Sequence, residues 1–193
     1  MTAMDPAALT GAAFAEAALL LERSHTLIPG IVVGAEAMAA SLAHGGTILI
    51  CGNGGSAADA QHFAAELTGR FEADRPALAA IALHADTSAL TAIANDYGFA
   101  RVFARQLEAL GKPGDVLVAI STSGASPNVL AAVEAARARE ITTIGLLGRD
   151  GGPLAERCDH ALIVPHQRTA RIQEIHGLII HCWCALLERA IAG

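Results

Sequence analysis

Aromatic side chains make up only 4% of this 193-residue chain, too few for a platform on which bases or sugar rings could stack. Basic charge is also short: 13 Lys and Arg stand against 19 Asp and Glu, a formal net charge of −6. The cations are scattered rather than striped, which argues against a nucleic-acid groove, because phosphate-backbone affinity comes from clustered Lys and Arg. The four cysteines, Cys51, Cys158, Cys182 and Cys184, show neither CxxC nor zinc-ribbon spacing and read as reduced packing residues. No basic segment precedes an apolar run near the first residue, so no signal peptide is expected. A long uninterrupted apolar run is missing too. The chain is 53% hydrophobic with a mean hydropathy of +0.43, yet its longest stretch free of Asp, Glu, Lys and Arg, 37–58, is interrupted by His44, Gly45, Gly46, Asn53, Gly54 and Gly55. Lipid cannot satisfy the backbone of such a loop. A cytoplasmic protein with no membrane and no nucleic-acid partner is the expectation.

What the chain does have is alanine, whose excess suits oligomer interfaces. The length fits a single domain, 1–193, that buries about 70% of its unfolded surface. Residues 1–45 form a helical extension: Leu19, Leu20, Leu27, Ile31 and Val32 recur with helical spacing around a break at Pro29 and Gly30. Residues 46–193 form the core, in which Thr47–Cys51, Leu78–Leu83, Asp115–Ile120, Ile141–Leu147 and Ala161–Val164 are short apolar runs alternating with helical segments. Such a pattern predicts an α/β domain with a parallel sheet covered on both faces. The last segment, Thr169 to Ala192, reads as one long helix with Ile172, Ile175, Ile179 and Leu186 on its apolar face.

Ligands of such sheets bind beyond the carboxyl ends of the strands, and two turns there stand out. Cys51-Gly52-Asn53-Gly54-Gly55-Ser56 leads into a helix starting near Ala57. Its glycines let backbone approach an anion, and Ser56 with Asp59 has the form of a capping box. After the third strand, Ser121-Thr122-Ser123-Gly124-Ala125-Ser126-Pro127 crowds four hydroxyls at a helix start, with Ser126 as N-cap and Pro127 at the first helical position. A phosphate fits there. No Gly-Lys-Ser/Thr follows either turn and GxGxxG is absent, which disfavours a P-loop and a dinucleotide site. His62 and Glu66 share one helix face, and Gln173, Gly177 and His181 share another; both stripes carry groups able to move protons or bind a metal. Glu174 with His176 and Asp159 with His160 read as structural.

These segments, CGNGGSAADAQHFAAELTGRF, AIANDYGF, STSGASPNV and RIQEIHGLIIH, resemble the phosphoheptose isomerases within the sugar isomerase (SIS) domain superfamily. The resemblance runs from the N-terminal helices to His181. STSG marks only the superfamily, whereas HFAAELTGR with RIQEIH and a His eight residues after the Gln marks the isomerases. It implies a flavodoxin-like, five-stranded parallel sheet sandwiched by helices. It also implies a homotetramer with the N-terminal helices in its core and active sites at subunit boundaries. Asn53, Gly54, Gly55, Asn95, Asp96, Ser121, Thr122, Ser123 and Ser126 would contact a phosphorylated sugar, the Ser/Thr turn taking the phosphate, with Glu66 and Gln173 also against the substrate. His62, Glu66, Gln173 and His181 would form the catalytic and metal cluster holding one zinc, with Glu66 as base and His181 as the partner acid or base.

AQHFAAEL, RFEADRPAL, ALTAIAND and RIQE also resemble a bacterial replication-initiation factor that binds the replication initiator. That homologue keeps the fold and loses the acid–base residues. Glu66, His181 and Gly55 favour the isomerase, with the catalytically silent initiator-binding protein as the alternative. A sugar-phosphate-sensing regulator would need a DNA-binding domain for which the residues before the sheet leave no room. The expected reaction is an aldose–ketose interconversion through an enediol. By resemblance it takes sedoheptulose 7-phosphate to D-glycero-D-manno-heptose 7-phosphate, destined for lipopolysaccharide core, a capsule or another heptose-containing glycan.

Overall fold

The computed structural model describes residues 5–192; residues 1–4 and 193 of the expected 1–193 domain lie outside the described part. The extension consists of α1 (Pro6–Arg23) and α2 (Ile28–Ala43), separated by a 3-10 turn at Ser24–Leu27. The break therefore falls before Pro29, not at Pro29 and Gly30. Pro29 stands in the first turn of α2, where a missing N–H costs nothing, while the Ser24 hydroxyl donates to Leu20 O at 2.8 Å and tightens the turn. The α1–α2 run is long and apolar enough, by length and composition, to cross a membrane. Its buried side chains pack within the chain: Ile31, Ala35 and Met38 of α2 join the core beneath the last helix, and Trp183 Nε1 donates to Ile31 O at 3.0 Å.

The strands are β1 (Ile48–Gly52), β2 (Ala80–Ala82), β3 (Val116–Ser121), β4 (Thr142–Gly148) and β5 (His160–Val164), all parallel, in the order β2-β1-β3-β4-β5. The expected runs coincide with them to within a few residues, β2, at one edge of the sheet, being the shortest. Their alternating side chains feed two cores. Ile48, Ile50, Val116, Val118, Ile120, Ile144 and Leu146 point to the layer with α2, α3 (Gly55–Thr68) and α8 (Thr169–Ala192). Leu49, Cys51, Leu117, Ala119 and Leu147 point to the layer with α5 (Val102–Leu110) and α6 (Pro127–Arg137). A central parallel sheet buried on both faces follows from the continuous apolar runs. α4 (Thr87–Tyr97) and the short α7 (Gly152–Ala155) complete the second layer.

The strand order reverses between β1 and β3, so the two unusual turns, one after each of these strands, meet at the crevice where open α/β sheets bind ligands. All four cysteines are free thiols. Burial pushes the thiols of Cys158 and Cys184 up to about 12 and that of Cys51 higher still, which makes them unreactive packing groups.

Candidate active site

The turn after β1 differs from its expected capping. Helix α3 begins at Gly55 with Gly54 as N-cap, at φ 58° and ψ −120°, a conformation open to glycine and closed to most other residues. Ser56 is already inside the helix and buried, so no capping box forms. Asp59 Oδ2 is buried without a hydrogen-bond partner, and burial raises its pKa against the opposing pull of nearby His62.

The turn after β3 places its hydroxyls as a cluster. Ser126 is the N-cap of α6 and Pro127 stands in its first turn, as the sequence predicts, but the Ser126 side chain caps nothing. Its Oγ lies 3.1 Å from Ser121 Oγ, which in turn accepts from Gly124 N at 3.2 Å. Ser123 Oγ accepts from Ala125 N at 3.3 Å. The backbone of this turn is pressed against the turn after β4: a Cβ on Gly124, which has φ +64°, would sit 1.8 Å from Gly151 O. Hydroxyls at the N-terminus of an eleven-residue helix can receive an anion.

Helices α3 and α8 run side by side in register, since the residues that meet advance together along both. The Gln173 amide covers Gly55, His181 meets His62, and Phe63 stacks on Trp183 at 5.8 Å between ring centres. His62 Nε2 lies 3.1 Å from Glu66 Oε1 and 3.2 Å from His181 Nε2. The Phe71 ring closes over His181 at 5.5 Å. His62 is the shared member of both pairs, and its Nε2 cannot donate to Glu66 and accept from His181 in one neutral tautomer. A cation would relieve that conflict. The 3.2 Å separation also suits two nitrogens on one tetrahedral zinc, which at about 2.0–2.1 Å each stand roughly 3.4 Å apart. Among the described residues no group of three His, Cys, Asp or Glu side chains is placed to hold a metal ion, so a zinc site here would need Gln173 or a rotated Glu66 beside the two imidazoles.

The structure thus brings His62, Glu66 and His181 together and lays Gln173 on the Gly-rich turn. Asn53, Gly54 and Gly55 line that turn; Ser121, Thr122, Ser123 and Ser126 form the neighbouring one. Asn95 and Asp96 are exposed in the second half of α4, where Asn95 Nδ2 donates to Asp96 Oδ1 at 2.8 Å. Two contributors escaped the sequence reading. Asn128, 2% exposed, exchanges amide hydrogen bonds with Asn53, and Phe71 covers His181. Asn128 follows the predicted N-cap by two residues and carries no motif of its own. His176 and Asp159 are structural, as read: His176 is fully buried against Leu147 O at 3.0 Å, and Asp159 accepts from Thr143.

Comparison with known proteins identifies the family. Residues 14–148 match the SIS domain family. The phosphoheptose isomerase of Thiobacillus denitrificans is 58% identical over 176 residues, 90% of this chain and 89% of that protein. That of Bordetella avium is 54% identical over 98% of both. The structure of phosphoheptose isomerase from Neisseria gonorrhoeae superposes with a TM-score of 0.91 at 52% identity, covering 96% of this chain and all of the other. With a five-stranded parallel SIS sheet, both marked turns at its switch point and this degree of identity end to end, the chain belongs to the phosphoheptose isomerase family.

Proposed function

We propose that this chain is an aldose–ketose isomerase converting sedoheptulose 7-phosphate to D-glycero-D-manno-heptose 7-phosphate. The observation that carries the reading is the convergence of Glu66 and His181 on His62, with pair distances of 3.1 and 3.2 Å, on the helices flanking a hydroxyl-lined turn. The reaction moves one proton between C1 and C2 of the open-chain sugar through an enediol and a second between O1 and O2. Glu66, as carboxylate, takes the C–H proton; His181, on the other helix, exchanges protons with the oxygens. Each such group is worth about 10²–10⁴ in rate. The Ser121–Ser126 turn holds the phosphate, so that remote binding energy positions C1 and C2. His62, Glu66, Gln173 and His181 would hold a zinc ion, which when bound supplies a Lewis acid for the carbonyl.

The working unit in this reading is a homotetramer. Leu9, Phe14, Leu19, Ile28, Val32 and Val33 are exposed on α1, α2 and the start of α2, a larger apolar display than a lone domain needs. Asn95 and Asp96, exposed on α4, would meet substrate at a subunit boundary. The enzyme would act in the cytoplasm, supplying heptose for lipopolysaccharide or a related glycan. The presence of both Glu66 and His181 favours it over the initiator-binding alternative. Purified protein should isomerise sedoheptulose 7-phosphate, with fructose 6-phosphate and ribulose 5-phosphate as poor substrates and unphosphorylated sedoheptulose poorer still. Equal turnover of sedoheptulose and its 7-phosphate, or none of either, would refute the reading.

A further inference from the structure

Two turns of α8 beyond His181, Glu188 projects from the same side of the helix into the segment between Thr68 and Ala80 that leaves α3. Its carboxylate is 8% exposed. Oε1 accepts from Phe71 N at 3.1 Å, and Oε2 from Glu72 N at 3.2 Å and Ala73 N at 2.9 Å. Three successive backbone N–H groups thus converge on one carboxylate, an anion-binding concavity filled from within the chain. The Ala73 N–H above all, then those of Phe71 and Glu72 and the Arg75 cation, hold this carboxyl below the usual range despite the cost of burial.

Arg75 extends the clamp to α3. Its Nε lies 3.4 Å from Glu188 Oε1, an ion pair rather than a directed hydrogen bond. Its NH2 group donates to Glu66 O at 2.6 Å and its NH1 group to Leu67 O at 2.9 Å and Pro76 O at 3.0 Å. The guanidinium therefore sits on the last carbonyls of α3, the negatively polarised end of that helix. One chain of contacts runs from the Glu66 backbone through Arg75 to Glu188, and from Glu188 to the Phe71 backbone, whose ring lies 5.5 Å from that of His181.

We propose that Glu188 is a positioning residue: by holding Phe71–Ala73 and, through Arg75, the end of α3, it fixes Phe71 over His181 and anchors the helix end that carries Glu66. α3 and α8 also pack through Phe63 and Trp183, a contact that does not involve Glu188, whereas the segment that carries Phe71 is tied to α8 through the Glu188 carboxylate. The kinetic part of this inference rests on the isomerase reading; the geometric part does not.

The test is Glu188→Gln, which fills the same space but replaces one acceptor oxygen by an NH2 that opposes the backbone N–H donors. Its crystal structure should show the Phe71 ring displaced from His181. Its kcat should fall by about tenfold or more while KM stays within about threefold, as expected when reacting groups are misplaced by a fraction of an ångström. Glu188→Asp, one methylene too short, should show the same split less severely. Wild-type protein is assayed alongside. If it turns over no sugar phosphate, the isomerase reading fails and the crystal structure alone decides the positioning. An unmoved Phe71, a wild-type kcat with only a lowered melting temperature, or failure of both variants to fold would assign Glu188 to stability alone and overturn the proposal.

Discussion

Asn53 and Asn128 hold each other by two reciprocal amide hydrogen bonds, Asn53 Nδ2 to Asn128 Oδ1 at 2.9 Å and Asn128 Nδ2 to Asn53 Oδ1 at 2.8 Å. They tie the turn after β1 to the first turn of α6, and so lock the Gly-rich turn to the Ser/Thr turn. Asn128 Oδ1 also accepts from Val129 N at 3.0 Å, which fixes the orientation of its amide.

Asn128→Ala should therefore loosen substrate binding more than chemistry. It leaves the half-buried Asn53 amide without its partner, at a cost below the roughly 1–3 kcal/mol of a fully buried polar group. The expected result in steady-state kinetics is a KM raised about tenfold with kcat changed less. A wild-type KM would show that the two turns hold their places independently.

Gly55→Ala should separate stability from activity. Gly55 opens α3 without a positive φ, so alanine suits its backbone, but a Cβ there would lie 2.4 Å from the Gln173 amide nitrogen and push that side chain away. Unfolding free energy should stay within about 1 kcal/mol of wild type, on the favourable side. Activity should drop about tenfold or more if Gln173 touches substrate or zinc. Unchanged activity would remove Gln173 from the site.

Glu66→Gln and His181→Gln should each lower kcat by at least about 10²-fold. The double mutant should lose far less than the product of the two, because groups in one proton relay are not independent. Metal content measured on the same samples separates loss of a proton carrier from loss of zinc. Variants that keep their metal and isomerise at the wild-type rate would refute the catalytic roles and favour the initiator-binding alternative.

His176 makes stability depend on pH. Burial lowers its pKa from 6.5 to about 4, the hydrogen bond to Leu147 O opposing the shift only partly, and its Nδ1 has no partner. Between about pH 6.5 and 4 the unfolded chain binds a proton that the folded one refuses, so this contribution is complete above pH 6.5 and is lost as pH falls towards 4. The total is on the order of 3 kcal/mol. Urea unfolding across this range should show that slope, and His176→Gln should flatten it.

The apolar display on the N-terminal helices should hold the subunits together. Phe14, 76% exposed, and Val32 are suited to the test. Phe14→Glu with Val32→Glu should convert a tetramer to smaller species in light scattering and reduce activity with it. A wild-type protein that is monomeric and fully active at micromolar concentration would rule the assembly out.

Hydrophobic patterning determined the five strands and the long last helix, because a parallel sheet buried on both faces demands continuous apolar runs, and the glycines and hydroxyls after two of those strands marked the turns worth inspecting. Residue chemistry likewise marked His62, Glu66, Gln173 and His181 as two helical stripes. That these stripes face each other was decided by packing: α3 and α8 share one face of the sheet, and Phe63 against Trp183 sets their register. Local pattern misplaced what backbone conformation controls. The Ser56–Asp59 capping box yielded to Gly54, whose positive φ starts the helix earlier, and the break between α1 and α2 fell before Pro29 because a proline ring clashes with the carbonyl four residues earlier in a continuous helix and is accepted in a first turn. Asn128, Phe71, Arg75 and Glu188 are ordinary residues in the sequence, and their defining partners lie far along the chain. A contact between residues that distant carries no local signal, so only the tertiary structure could make them part of the site.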